Sequence, residues 1–227
     1  MNITIIPVTP FQQNCSLIVC KQTNDAAIVD PGGDIEQLLA AIHKAGAKVT
    51  QILLTHGHLD HVAGAPELAA ALGNIPIIGP HLGDKFWLDA LTEQSARFGF
   101  GHARAFLPNQ WLSEGDTVTV GVHSLEVIHC PGHTPGHVVF YSKSQQIAWV
   151  GDVIFQNSIG RTDFPQGNHA DLIRSITDKL LPLGDDVQFV PGHGNTSTFG
   201  AERINNPHLK IGRIQPRSAT LNFPDNT

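Results

Sequence analysis

Four times along this chain an apolar, strand-like run ends in a turn containing Gly or Thr, and histidine or aspartate follows at once. His56 follows QILLT, His133 follows LEVIHCPG, Asp152 follows AWVG and His193 follows VQFVPG. If such strands pack side by side, their turns gather at one sheet edge, where rigid scaffolds usually carry their sites. The pattern therefore demands sheets whose polar ends converge from distant parts of the chain.

In all, short apolar or alternating runs fall at 3–6, 16–19, 26–29, 52–54, 75–78, 117–120, 125–128, 138–141, 147–150 and 187–190. Gly, Pro, Asn and Asp punctuate them, which is the signature of strands. Helical spacing appears at 35–45, where Ile35, Leu38, Leu39 and Ile42 share a face. It returns at 66–72, with Pro66 at the start, and at 169–180, where Leu172, Ile173, Ile176 and Leu180 repeat it. Residues 81–107 read as helix plus loop. Strands outnumber helices, and helices lie both early and late, so packed sheets with helices outside are expected rather than an all-β barrel. No linker, repeat or low-complexity stretch divides the 227 residues, and one domain over 1–227 is expected.

Composition narrows the function classes. A net charge of −6 with 14 Lys and Arg offers no basic stripe for phosphates, so nucleic acid is not an expected partner. No run approaches the roughly 18 apolar residues of a membrane span, and no basic residue precedes the apolar N-terminal stretch as in a secretory signal. Cys15 and Cys20, five residues apart on an extended segment, should point to opposite faces. With three cysteines in all, no disulfide framework is expected, and a reducing cytoplasm is the inferred location. The 13 histidines are the compositional oddity.

The densest polar stretch is THGHLDH, Thr55 to His61. His56 and His58, two residues apart on extended chain, project to one side and can reach a single ion. Asp60 and His61, entering the turn before the 66–72 helix, are placed to face a second ion. Catalytic zinc takes three protein ligands and keeps a position open. His56, His58 and His133 make one such set; Asp60, His61 and His193 make another, and Asp152 is free to bridge them with its two oxygens. Without a cation this cluster would be costly to desolvate.

THGHLDH also fits the HxHxDH signature of the metallo-β-lactamase superfamily, and PGHTPGH, VGD and PGHG match its remaining ligand motifs in order. The resemblance covers essentially the whole chain. PVTPFQQNC and NSIGRTDFPQG further resemble the hydroxyacylglutathione hydrolase (glyoxalase II) group, especially its short, single-domain YcbL-type members. The resemblance implies an α/β fold, the αββα four-layer sandwich. It implies two divalent ions, with zinc expected and iron or manganese as alternatives, held by His56, His58, Asp60, His61, His133, Asp152 and His193. The implied reaction is hydrolysis of a small thioester such as S-D-lactoylglutathione to a 2-hydroxy acid and glutathione. Metal-acidified water attacks the carbonyl; Asp60 and Asp152 are the catalytic carboxylates.

Arg161 is a candidate grip for a substrate carboxylate, or the partner of Asp163. His137 is expected beside the site, orienting it rather than ligating. Cys130 is expected to pack, and His81, His102, His123, His169 and His208 to be surface or turn residues. Phe86, Trp87, Phe98, Phe100, Phe106 and Trp111 either wall the pocket or fill the core. The chain departs from the group in two ways. Only 34 residues (227 minus 193) follow His193, too few for a separate helical substrate domain, and Gly194 and Asn195 stand where the group has an aromatic residue. Two rivals share the fold: a mono-iron persulfide dioxygenase and a lactonase-type hydrolase. A monomer or small homo-oligomer is expected.

Overall fold

The computed structural model describes residues 1–100 and 103–209. One sheet holds β1 (Asn2–Val8), β2 (Gln13–Val19), β3 (Asp25–Val29), β4 (Lys48–Leu53) and β5 (Ile77–Ile78), side by side in that order. The second sheet uses β6 (Thr117–Val120), β7 (His123–His129), β8 (Val138–Ser142), β9 (Ile147–Gly151), β12 (Gln188–Pro191) and β13 (Ser197–Thr198), in the order β13-β12-β9-β8-β7-β6. A small hairpin, β10 (Ile154–Phe155) and β11 (Ser158–Ile159), follows β9.

The period of two along the strands explains the layering, because alternate residues enter different cores. In β2, Leu17 faces the helices while Ile18 faces the other sheet; in β3, Ala26 and Ile28 part from Ala27 and Val29 in the same way. In β8, Val138 and Phe140 join Ile18 and Val29 between the sheets, whereas Val139 and Tyr141 face outward. The first sheet's outer face is covered by α1 (Ile35–Ala45), α3 (Ala65–Ala71) and α5 (Leu91–Phe98), through Leu38, Ile42, Leu68 and Leu91. Helix α2 (Leu59–Val62) and α4 (Lys85–Asp89) are single turns near the strand ends. The second sheet's outer face is covered by α6 (His169–Arg174), which continues as a π-helical turn over Ser175–Leu180, and by α7 (Phe199–Asn205). The result is the expected αββα sandwich.

The run at 75–78 pairs only at Ile77–Ile78, since Pro76 has no N–H to give a ladder. Cys15, Cys20 and Cys130 are free and buried. Among the described residues no helix is long and apolar enough to cross a membrane. His102 and the prolines beyond residue 209 lie outside the described residues.

Candidate metal centre

Topology brings the turns together. Strands β3 and β4 run parallel, so Asp30 and the 55–61 segment leave the first sheet at the same edge. Strands β9 and β12 are also parallel, which sets Asp152 beside His193; β8 runs antiparallel to β9, so the loop feeding β8, with His133, opens there too. At this edge the sheets are stitched: Val138 N–H donates to the Thr55 carbonyl at 2.8 Å, and Asn14 N–H to the Gly192 carbonyl at 2.7 Å.

His56, His58 and His133 converge here and are buried. His58 Nδ1 lies 3.1 Å from His56 Nε2 and 2.9 Å from His133 Nε2. The hydrogen-bond network assigns the tautomers. His133 Nδ1–H donates to the Arg161 carbonyl at 2.7 Å, leaving its Nε2 as a lone pair. The Thr55 hydroxyl gives its proton to Asp30 at 2.6 Å and so accepts from His56 Nδ1–H at 3.1 Å, which makes His56 Nε2 a lone pair as well. Two lone pairs thus face a third nitrogen that has at most one proton to share. Burial, reinforced by the neighbouring rings, holds His56 and His58 well below the ordinary histidine range; burial also lowers His133, against the pull of Asp152. Three neutral imidazoles facing one point fit a cation.

The second cluster is acidic. Asp60 Oδ2 lies 3.2 Å from His193 Nε2 and 3.7 Å from His61 Nε2. His61 Nδ1–H donates to Asp30 at 2.9 Å, and His193 Nδ1–H to the Phe11 carbonyl at 3.1 Å. Asp152 spans the clusters: Oδ1 is 3.5 Å from His61 Nε2, while Oδ2 is 3.5 Å from His133 Nε2 and 3.7 Å from His193 Nε2. Both His61 Nε2 and Asp152 Oδ1 are buried without a hydrogen-bond partner, so the donor set is incomplete without a further group between them. In each of the two sets the ligand atoms lie within 4.8 Å of one another. Asp30, His56 and His61 form a third such group, but hydrogen bonds already link it through Thr55, behind the site. Burial disfavours charge on His61, yet Asp152, Asp60 and Asp30 hold it up to about 10. Burial likewise works against Asp60, which His61, His193 and His58 keep below the usual carboxylate range.

The supports behind these residues are carboxylates that sequence reasoning missed. Asp30 accepts from the Thr55 N–H at 2.8 Å, the Thr55 hydroxyl and His61 Nδ1–H. Asp84 accepts from Gly57 N–H at 2.8 Å, the Thr134 hydroxyl at 2.7 Å and Gly136 N–H at 2.6 Å; burial outweighs these bonds and lifts its carboxyl to about 6. Asp30 had a readable signal, since it follows the β3 run just as Asp152 follows β9. Asp84 had none, because it sits in a one-turn 3-10 helix. Gly192 is required by close approach: a Cβ there would lie 2.0 Å from Asp152 Oδ1.

His137 lies beside the cluster. Its ring stacks on His56 at 4.7 Å, and its Nε2 accepts the Asp152 N–H at 3.1 Å. Arg161 pairs with exposed Asp163 at 2.8 Å and lies 4.6 Å over the Phe164 ring. Phe164 in turn meets His58 edge-on at 4.8 Å, as Trp87 does at 4.5 Å. Of the six aromatics named from sequence, Trp87 therefore borders the centre. Phe100, Phe106 and Trp111 pack on the first sheet's core, Phe86 lies beside Trp87, and Phe98 is exposed.

Fold, strand-end histidines and paired clusters define the class: the chain belongs to the metallo-β-lactamase superfamily, whose model matches residues 8–193. Among relatives, it is 49% identical to hydroxyacylglutathione hydrolase GloC of Haemophilus influenzae over 210 residues, covering 92% of this chain and 98% of that protein. It is similar to the crystal structure of BLEG-1 B3 metallo-β-lactamase, with TM-score 0.84, 34% identity, and 92% and 99% of the two chains covered. It is also similar to TTHA1623 in a di-iron-bound form, with TM-score 0.81, 33% identity and coverage of 90% and 98%.

Proposed function

We propose that this chain is a metal-dependent hydrolase of small thioesters, with S-2-hydroxyacylglutathione as the substrate class and S-D-lactoylglutathione as its first candidate. The observation that supports this most is the pairing of a neutral three-imidazole cluster with an acidic one through Asp152, on a chain 49% identical to a hydroxyacylglutathione hydrolase. His56, His58 and His133 would hold one divalent cation; Asp60, His61 and His193 would hold the other, with Asp152 shared. Zinc is the proposed metal, although the TTHA1623 relative was captured with iron. Such a pair supplies Lewis acidity, acidifying water and polarising a carbonyl oxygen.

The protein's own groups do the rest. Asp60, at the acidic cluster, would orient the attacking water. Asp30 fixes the His61 ring, and His137 fixes the backbone of Asp152. Trp87 and Phe164 exclude water from the His58 side. The thiolate product leaves without a strong acid, which matches the neutral His56, His58 and His133 set. Arg161, on the exposed side of Phe164, is the proposed grip for a glutathione carboxylate, exchanging Asp163 for it.

Metal-loaded protein should turn over S-D-lactoylglutathione and lose that activity on chelation, with recovery on adding zinc. Absence of metal-dependent turnover would remove the glyoxalase II reading. The likeness to BLEG-1 gives a β-lactam a specific claim as second substrate, so a chromogenic cephalosporin belongs in the same assay. Oxygen consumption with glutathione persulfide and one iron per chain would point to the dioxygenase instead.

Protonation gives a second check. In the metal-free protein His61 carries a proton at neutral pH, because three carboxylates raise its pKa to about 10. A cation taking its Nε2 must displace that proton, so adding zinc to demetallated protein at pH 8 should release about one proton per chain from this ring. His56, His58 and His133 are already neutral there and release none. Their lowered pKa values also keep them as ligands through pH 6.5, with metal and activity falling together only in stronger acid. Weakly buffered titration with a pH indicator reads the release; zinc binding with none contradicts the assignment of His61.

A further inference from the structure

The two clusters differ in charge: Asp60 belongs to one, while the His56, His58 and His133 set has no carboxylate apart from shared Asp152. Fully buried Asp84 lies directly behind that neutral set. Its Oδ2 accepts from Gly57 N–H, between His56 and His58, and from the Thr134 hydroxyl, next to His133. Its Oδ1 accepts from Gly136 N–H. Two of these partners are backbone N–H groups, which can only donate, and the hydroxyl is free to donate with them, so all three favour the ionised carboxylate. The packing also leaves no slack: a Cβ on Gly57 would lie 3.2 Å from the Asp84 Cβ, and one on Gly136 would lie 2.7 Å from its Cγ.

We infer that Asp84 is a positioning residue for one of the two cations: it clamps the 55–61 segment to the 131–137 loop and supplies buried negative charge to the imidazole-only set. Asp30 serves the other side, through Thr55 and His61. The distinction between the two carboxylates lies in which ligands they brace. This inference rests on the two-cation reading above.

The test uses zinc-loaded protein challenged with graded amounts of a chelator, counting ions left per chain by elemental analysis. Asp84→Asn keeps the shape but removes the charge and one acceptor. Outer partners of metal ligands are worth about 10–100-fold in affinity. In D84N one ion per chain should therefore leave at about 10–100-fold less chelator, while the other leaves as in the unaltered protein. Thr134→Val removes a single donor without altering shape, and should loosen the same ion by a smaller factor even if D84N folds poorly. Two ions leaving both variants as they leave the unaltered protein would overturn the inference. So would both ions loosening equally, which is the mark of general damage to the fold. An unaltered protein that binds no pair of ions would overturn the two-cation reading together with it.

Discussion

Asp152→Ala is expected to lose bound metal and turnover together, with kcat/KM falling about three orders of magnitude, or roughly 4 kcal/mol of transition-state stabilisation. Asp152 reaches His61 with one oxygen and both His133 and His193 with the other, so no single cluster can absorb its loss. Removing it also leaves the two proposed cations with one fewer negative charge between them. His137→Ala is the matched control. That ring touches the same turn, but only by accepting the Asp152 N–H and stacking on His56, so metal should be retained better than in Asp152→Ala. Elemental analysis of both variants, purified in parallel, reads the difference. Equal metal content would show that the roles of Asp152 and His137 are misassigned.

Asp30→Ala carries the largest expected effect on stability, about 3–5 kcal/mol lost. The side chain is buried and accepts from three donors: the Thr55 N–H, the Thr55 hydroxyl and His61 Nδ1–H. Alanine would strand all three where water has no ready access. The damage would spread, because the Thr55 hydroxyl also sets the His56 tautomer, and the Thr55 carbonyl takes the Val138 N–H across the sheets. Urea unfolding of demetallated protein isolates this effect from metal binding. A shift of less than about 1 kcal/mol would mean the donors find other partners, and Asp30 is then no anchor.

Much of the architecture could be read along the chain. Runs such as 117–120 and 147–150 alternate or stay apolar over strand lengths and stop at Gly or Asp, and those local signals survive into β6 and β9. THGHLDH likewise placed four titratable side chains within seven residues, and only a bound cation or a chance loop accounts for that density. Boundaries were less legible. The run at 75–78 shrank to two residues at Pro76, and the 169–180 helix took a π-helical turn that periodicity does not encode.

What the sequence alone determined was the kind of element along its main apolar runs and a set of candidate metal ligands, because hydrophobic period and side-chain chemistry are local properties. Only the tertiary structure decided which nitrogens face one another, and that Asp30 and Asp84 brace the ligands from behind. A hydrogen bond depends on distance and direction between groups, here across separations such as Asp84 to Gly136, and no local pattern specifies either. Parallel pairing of β3 with β4 and of β9 with β12 converts a list of strand ends into a single centre.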